Sequence, residues 1–235
     1  MPAVRLDALQ SEPEVAIAGA GLAGLAAAYH LGLAGVSARI YEASARTGGR
    51  VLSARDHLGP GLVTELGGEF IDSDHSEMLG YAQKFGLELI DTQAPSEREV
   101  IANAFYFGGT LYTEAQVTEA IKPLLKVMER DVRRVRRGAV AEYDKLSLAA
   151  YLDRIQAGGW IRSLIEAAYV TEYGLDLGEQ TSLNLLLLTS TEAGDTWEPF
   201  GTSDERYKIR GGNQRIPEEL TKIVGDRIVY GHWLD

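Results

Sequence analysis

Gly19-Ala20-Gly21-Leu22-Ala23-Gly24 constrains this chain more than any other stretch. It sits between a short apolar run, Glu14–Ala18, and an Ala/Leu-rich helical stretch, Leu22–Leu33, that closes at Gly35. A strand, a tight turn and a helix are predicted in that order. Val36–Tyr41 then alternates as a strand does and ends at Glu42, so the first 42 residues read as one βαβ unit, which requires a parallel sheet with covered faces. Each glycine of the G-x-G-x-x-G pattern has a steric task. Gly19 permits the tight turn, Gly21 lets the backbone approach a pyrophosphate, and Gly24 lets the helix lie close on the strand. The N–H groups of Leu22 and Ala23 then face an anion at the positive end of the helix dipole. Glu42, eighteen residues beyond Gly24, stands where a carboxylate accepts ribose hydroxyls. The competing reading is a helix-packing turn followed by a surface Glu. Agreement of strand, turn and acidic residue favours a dinucleotide.

Composition narrows the partners. The net charge of −11 repels phosphate backbones, which argues against nucleic acid. Without Cys there is no disulfide framework, thiolate nucleophile or Cys-ligated metal. The aliphatic run Leu185–Leu188 and the glycine-interrupted Val15–Ala28 both fall short of the ~20 residues that span a bilayer. Met1–Pro13 lacks the basic stretch and apolar core of a secretory signal, which leaves a cytoplasmic or an already mature exported protein as the expectation.

Beyond Glu42 the chain is Gly-rich and irregular between Gly48 and Gly68, and a helix is predicted over Ser73–Phe85, a strand over Leu87–Ile90 and a loop over Thr92–Glu99. A domain boundary is placed near Asp91. Ala104–Thr113 reads as a hairpin about Gly108-Gly109. Helices follow over Glu114–Arg137, Ser147–Gln156, Trp160–Tyr173 and Thr181–Leu188, then a strand over Glu205–Arg210, a helix over Asn213–Val224 with Pro217 in its first turn, and a strand over Asp226–His232. The expected architecture is α/β. A Rossmann-like nucleotide-binding domain comes from 1–90 and 205–235, and a mostly helical domain with one hairpin, 91–204, is inserted into it. The basic stretch Arg130–Arg137 is read as the solvated face of a helix whose Val132 and Val135 point inward. His30, His57, His75 and His232 show no ligand spacing, so no metal site is expected. No G-x-S-x-G elbow supports nucleophilic hydrolysis.

Tyr41–Val51, YEASARTGGRV, continues the fingerprint as E-x-x-x-R-x-G-G-R, and Glu65-Leu66-Gly67-Gly68-Glu69 and Arg210-Gly211-Gly212-Asn213 follow at later positions. With these motifs the chain resembles the flavin amine oxidase family, which includes monoamine, polyamine and L-amino acid oxidases. The resemblance implies an FAD-binding domain of the GR2 type with FAD as cofactor. It places Gly49 and Arg50 at the pyrophosphate and Leu66, Gly67, Gly68 and Glu69 along the isoalloxazine ring. Leu234 falls where the family gives backbone contacts to adenine, with an ordinary core Leu as the alternative. Arg46 is open between a cofactor contact and an ion pair with Glu42.

The implied reaction converts an amine to an imine, with O2 as acceptor and hydrogen peroxide released. Alternatives are an L-amino acid oxidase, a flavin desaturase or isomerase, and a non-enzymatic nucleotide-binding module. In the family the catalytic lysine lies in the C-terminal half, beyond Asp235, so no catalytic residue is assigned. The expectation is an N-terminal portion of the enzyme, completed by a second polypeptide that carries the C-terminal half, with a homo-oligomer of the assembled unit compatible. The substrate reading rests on Glu69-Phe70-Ile71-Asp72. L-amino acid oxidases resembling this family place an Arg two residues after the glycine pair, where this chain has Phe70. Glu69, Asp72 and Asp74 make an acidic neighbourhood that attracts an ammonium group. Asp72 or Ser73 as N-cap of the following helix is the structural alternative.

Overall fold

The computed structural model describes residues 13–97, 104–192 and 196–234. The reading of the N-terminal leader up to Gln10-Ser11-Glu12, and the last two residues of the Thr92–Glu99 loop, lie outside them. In chain order the elements are β1 (Val15–Ala18), α1 (Leu22–Leu33), β2 (Ala38–Glu42), β3 (Ser53–Arg55), β4 (Val63–Glu65), α2 (Ser76–Lys84), β5 (Leu89–Asp91), β6 (Phe105–Phe107), β7 (Thr110–Tyr112), α3 (Glu114–Arg136), α4 (Val140–Asp144), α5 (Leu148–Arg154), α6 (Gly159–Tyr173), α7 (Leu183–Leu188), β8 (Tyr207–Ile209), α8 (Arg215–Val224) and β9 (Ile228–Tyr230). They form two compact units, one from the residues up to Glu97 together with those from Asp204 onward, the other from the residues between.

The first unit is α/β. Its parallel sheet runs β1-β2-β9, with Ile17 beside Ile40 and Ile40 beside Ile228. Helix α1 is apolar apart from His30 in its last turn and packs on β1, β2 and α8, burying Leu25, Ala28 and Tyr29. Helix α8 is strongly one-sided and contributes Ile216, Leu220 and Val224, all fully buried. Truncating any one of these large side chains to Ala costs about 2–5 kcal/mol. The segment that reads as irregular between Gly48 and Gly68 contains an antiparallel pair, β3 with β4. Each strand has only three residues, too few for a period of two to register. A second antiparallel pair, β5 with β8, ties the stretch before Glu97 to the stretch after Asp204. Arg206 forks onto the Asp91 carboxylate at 3.0 and 2.9 Å, and the Thr92 N–H donates to the Arg206 carbonyl at 2.9 Å. These bonds keep Asp91 and Thr92 with the first unit, whose leading segment runs to Glu97.

The second unit is helical apart from the β6–β7 hairpin, whose turn residues Gly108 and Gly109 both have positive φ. Helix α3 starts with a full capping box between Thr113 and Gln116 and lines up Val117, Ile121, Leu125, Met128, Val132 and Val135 on one buried face. Val132 and Val135 point inward, as the basic stretch predicts, but so does Asp131, which is fully buried. Its carboxylate accepts from Arg130 Nε at 3.0 Å and from the Tyr151 hydroxyl at 3.1 Å. Helix α4 has five residues and left no periodic trace in the sequence. Among the described residues no helix is long and apolar enough to cross a membrane.

Candidate functional site

The glycine turn is built as one backbone assembly. The Gly19 N–H donates to the Tyr41 carbonyl at 2.7 Å and so joins the turn to β2. Gly19 has φ +89°, and a Cβ on Gly24 would overlap the Gly19 carbonyl oxygen, so both positions require glycine for reasons internal to the chain. Gly21 differs. A Cβ there would meet only Gly49 Cα at 3.9 Å, an ordinary contact, so the chain itself does not demand glycine at this position. Gly21 caps α1 without any side-chain hydrogen bond, and no acidic residue lies in the helix's first turn. The amides of Ala23 and Gly24 are therefore left without a side-chain cap at the start of the helix.

Glu42 ends β2 and reaches back to this turn. Its Oε2 accepts from the Ala20 N–H at 2.7 Å, and its Oε1 accepts from the Ser44 N–H at 2.8 Å and lies 2.7 Å from the Ser44 hydroxyl. Burial, the largest single effect, pushes the Glu42 carboxyl up, but these three hydrogen bonds and the Arg46 charge together hold it below the ordinary carboxylate value. Of roughly four acceptor sites on the carboxylate, three are taken. The Ser44 hydroxyl also lies 2.9 Å from the Arg46 carbonyl. Having one proton, it can turn to that carbonyl and leave Glu42 two sites.

The Gly48-Gly49 loop docks onto the same turn, with the Gly48 N–H donating to the Ala20 carbonyl at 2.8 Å. Arg46 forms no ion pair with Glu42 among the described residues. Its guanidinium bends back and donates to the carbonyls of Gly49 at 2.6 Å, Thr47 at 3.2 Å and Val51 at 3.4 Å, shaping its own loop. Arg50 is exposed and has no hydrogen-bond or ion-pair partner among the described residues, which leaves its guanidinium free for an anion. Leu234 is 85% exposed, so the reading of it as a core residue is corrected. It follows β9, which ends at Tyr230, and so lies beyond the strand that could have buried it.

A second cluster gathers around the segment from Glu65 to Asp72. A Cβ on Gly67 would overlap the Arg50 carbonyl oxygen, whereas one on Gly68 would meet only a Val51 methyl at 3.7 Å. Leu66 is exposed and donates its N–H to the Leu52 carbonyl. The acidic neighbourhood is compensated in part, by a lysine distant in sequence. Glu69 pairs with Lys208 Nζ at 2.6 Å, and the same ammonium lies 4.3 Å from the centre of the Phe70 ring. Asp72 accepts from the Glu205 N–H at 2.9 Å, and Ser73 bonds Asp204 through both its amide and its hydroxyl. Neither caps α2. The helix starts at Ser76 behind His75, which makes no side-chain cap bond. The expectation that no histidine has ligand spacing is corrected too, since Asp72, Asp74 and His75 place one donor atom each within 4.8 Å. His75 Nδ1 accepts from the Asp72 N–H at 3.1 Å, which puts the ring proton on Nε2 and leaves neither nitrogen free for a metal.

Sequence reasoning missed Ser44, Lys208 and the part played by Asn213. Ser44, two residues after Glu42, carried a local signal as a short hydroxyl able to bond a neighbouring backbone. Lys208 and Asn213 act on residues far away in sequence, and no spacing rule points to them.

The sequence profile described as flavin containing amine oxidoreductase matches residues 22–234. The L-amino-acid oxidase of Bothrops pauloensis is 38% identical over 242 residues, covering 95% of this chain and 46% of that protein. That of Pseudechis australis is 27% identical, with 95% and 44% covered. Among solved structures, cyclohexylamine oxidase from Brevibacterium oxydans IH-35A superposes with a TM-score of 0.73 at 21% identity, over 94% of this chain and 51% of that one. Putrescine oxidase bound to putrescine gives a TM-score of 0.70 at 21% identity, over 93% and 51%. The chain spans about half the length of the relatives it matches.

Proposed function

The chain belongs to the flavin-containing amine oxidoreductases, and from that premise we propose that it supplies the FAD-binding part of an oxidase that converts an amine to an imine. FAD is the cofactor. The chemistry it supplies is removal of hydride from the carbon bearing the amine, leaving an imine for hydrolysis, with O2 as final acceptor and hydrogen peroxide as product. The observation that carries this reading is the uncapped N-terminus of α1 beside Gly21, with an exposed and unpartnered Arg50 on the loop that docks onto the same turn. The helix amides bind one pyrophosphate oxygen and Arg50 neutralises the charge that they leave. Glu42 takes the ribose hydroxyls once Ser44 has turned to the Arg46 carbonyl. Gly49 contributes by close approach, Arg46 by holding the loop, and the backbone of Leu66–Glu69 by lining the flavin ring. Leu234 would supply the backbone contact to adenine. The unit formed by the residues after Glu97 and before Asp204 is read as the substrate domain. No residue of this chain is assigned a catalytic role.

The substrate is a small amine. An α-amino acid is the second reading, favoured by one observation: Lys208 brings a cation to the Phe70 ring, the position where the resembling L-amino acid oxidases carry Arg. A flavin absorption spectrum of the purified protein tests the cofactor assignment, and colourless protein that takes up no added FAD would refute it. Peroxide release assayed with phenethylamine, putrescine, spermidine and a panel of L-amino acids separates the two substrates, and preference for any L-amino acid overturns the amine.

A further inference from the structure

Asn213 is 2% exposed and every hydrogen-bonding group of its side chain is used. Its Oδ1 accepts from the Ile209 N–H at 2.9 Å, and its Nδ2 donates to two successive carbonyls, Gly68 at 3.0 Å and Glu69 at 2.8 Å. Only one orientation of the amide satisfies an N–H and two carbonyls together. Its own N–H donates to Glu65 Oε1 at 2.8 Å, and Glu65 Oε2 accepts from the Ser53 hydroxyl at 2.7 Å. The side chain thus joins the end of β8 to the glycine segment, and the backbone N–H of the same residue adds the end of β4.

The two carbonyls have a consequence for the amides behind them. Across a planar trans peptide, C=O and the following N–H point in opposite directions. Drawing the Gly68 and Glu69 carbonyls to Asn213 turns the N–H groups of Glu69 and Phe70 to the other side, next to each other. Neither has a partner among the described residues, although their neighbours do: the Gly68 N–H donates to the Arg50 carbonyl and the Ile71 N–H to the Tyr207 carbonyl. Two successive free amides facing one way make a preorganised site for an electron-rich group. The side of Gly68 is open as well, since a Cβ there would make only ordinary contact.

We propose that Asn213 is a positioning residue that aims the Glu69 and Phe70 amides at an acceptor edge of the flavin ring. This rests on the reading of Leu66–Glu69 as the flavin-side segment, and adds to it which amides donate and what aims them. Asn213→Asp keeps the acceptor for Ile209, removes both donors and sets a second carboxylate beside Glu65. In the purified protein it should raise the FAD dissociation constant about tenfold or more. It should also shift the visible band and the reduction potential of the flavin still bound. A variant that loses only thermal stability, with spectrum and potential as in wild type, overturns the proposal. A measurement on wild type covers the case in which the variant does not fold. The Glu69 and Phe70 amides should exchange with solvent freely without FAD and become protected when FAD is added. Flavin bound with no added protection at these amides overturns the assignment, and failure of the wild type to bind FAD overturns the reading beneath it.

Discussion

The glycine turn with its following loop, residues 19–50, and the segment from Glu65 to Asp72 look alike in sequence, each a set of glycines beside a glutamate. They are held in different ways. In the first, Glu42 bonds Ala20, Gly48 bonds Ala20 and Arg46 bonds its own loop, all within the βαβ unit and the loop that directly follows it. In the second, the anchors are Asn213 and Lys208, which lie 145 and 139 residues from Gly68 and Glu69 in the chain. A motif whose partners are its neighbours carries its explanation with it, whereas one held from across the fold shows only its glycines.

The sharpest way to break this comparison is to place a methyl group on each member of the second glycine pair. Gly67→Ala drives a Cβ into the Arg50 carbonyl oxygen, which is backbone and cannot swing aside, and should cost about 3 kcal/mol of stability. Gly68→Ala meets only the Val51 methyl and should stay within about 0.5 kcal/mol, while weakening FAD binding. Urea denaturation of the two variants without flavin checks the pair. Equal losses would mean that both glycines serve the fold and that neither is kept for a ligand.

Glu42→Ala probes the first region and should act on fold and cofactor together. Loss of the bonds to Ala20 and Ser44 should cost about 1–3 kcal/mol without FAD, and FAD affinity should fall by about 10- to 100-fold. The acid dependence has a definite sign. Because hydrogen bonds hold the Glu42 carboxyl below its ordinary value, its contribution is complete above the unfolded-state pKa, about 4, and disappears as the pH falls through the lower folded value. The stability gap between wild type and variant should therefore close on acidification from about pH 6 to about pH 3. A gap that widens would show that Glu42 is not held as an anion.

What could be read from the sequence follows the same division. Helix α1 falls on the predicted residues, and the hairpin about Gly108-Gly109 and the long helix after Thr113 lie within a residue of prediction, because turn chemistry, a capping box and heptad-like spacing are local signals. The site residues around Gly19–Gly24 come together as expected because the βαβ unit brings them there. The strands β3 and β4 and the helix α4 were lost because three to five residues cannot display a period. Burial of Asp131 runs against the pattern of its neighbours, and it is made tolerable by Arg130 beside it together with Tyr151, twenty residues on. The cap of α2 was misplaced because Asp72 and Ser73 are bound to Asp204 and Glu205, which the sequence sets far away.

The two arginines of the first region sharpen the difference between shaping a site and touching its ligand. Arg46→Ala removes donors to three loop carbonyls and should lower stability without FAD by about 1 kcal/mol. Its effect on FAD binding should vary little with salt. Arg50→Ala should leave the stability within about 0.5 kcal/mol, and its loss of FAD affinity should shrink as salt rises, because a guanidinium facing an exposed phosphate is screened. Titration of FAD at low and high ionic strength distinguishes the two, and the reverse pattern would exchange their roles.

The smallest expected effect bears on the second region's charge balance. The Lys208–Glu69 pair is partly exposed, with side chains 30% and 49% accessible, so Lys208→Met should change stability by less than about 1 kcal/mol. Its consequence lies in the field. Removing the ammonium over Phe70 leaves Glu69 uncompensated beside the segment read as lining the flavin, which strengthens attraction for a substrate ammonium and weakens it for a carboxylate. At separations of several ångströms near a protein surface, one unit charge is worth about 0.5–1 kcal/mol, or about a two- to fivefold change. The ratio of peroxide release with putrescine to that with an L-amino acid should rise by that factor in the assembled enzyme. An unchanged ratio would place Lys208 outside the reach of the substrate and leave its ion pair as a device for holding β8 against the glycine segment.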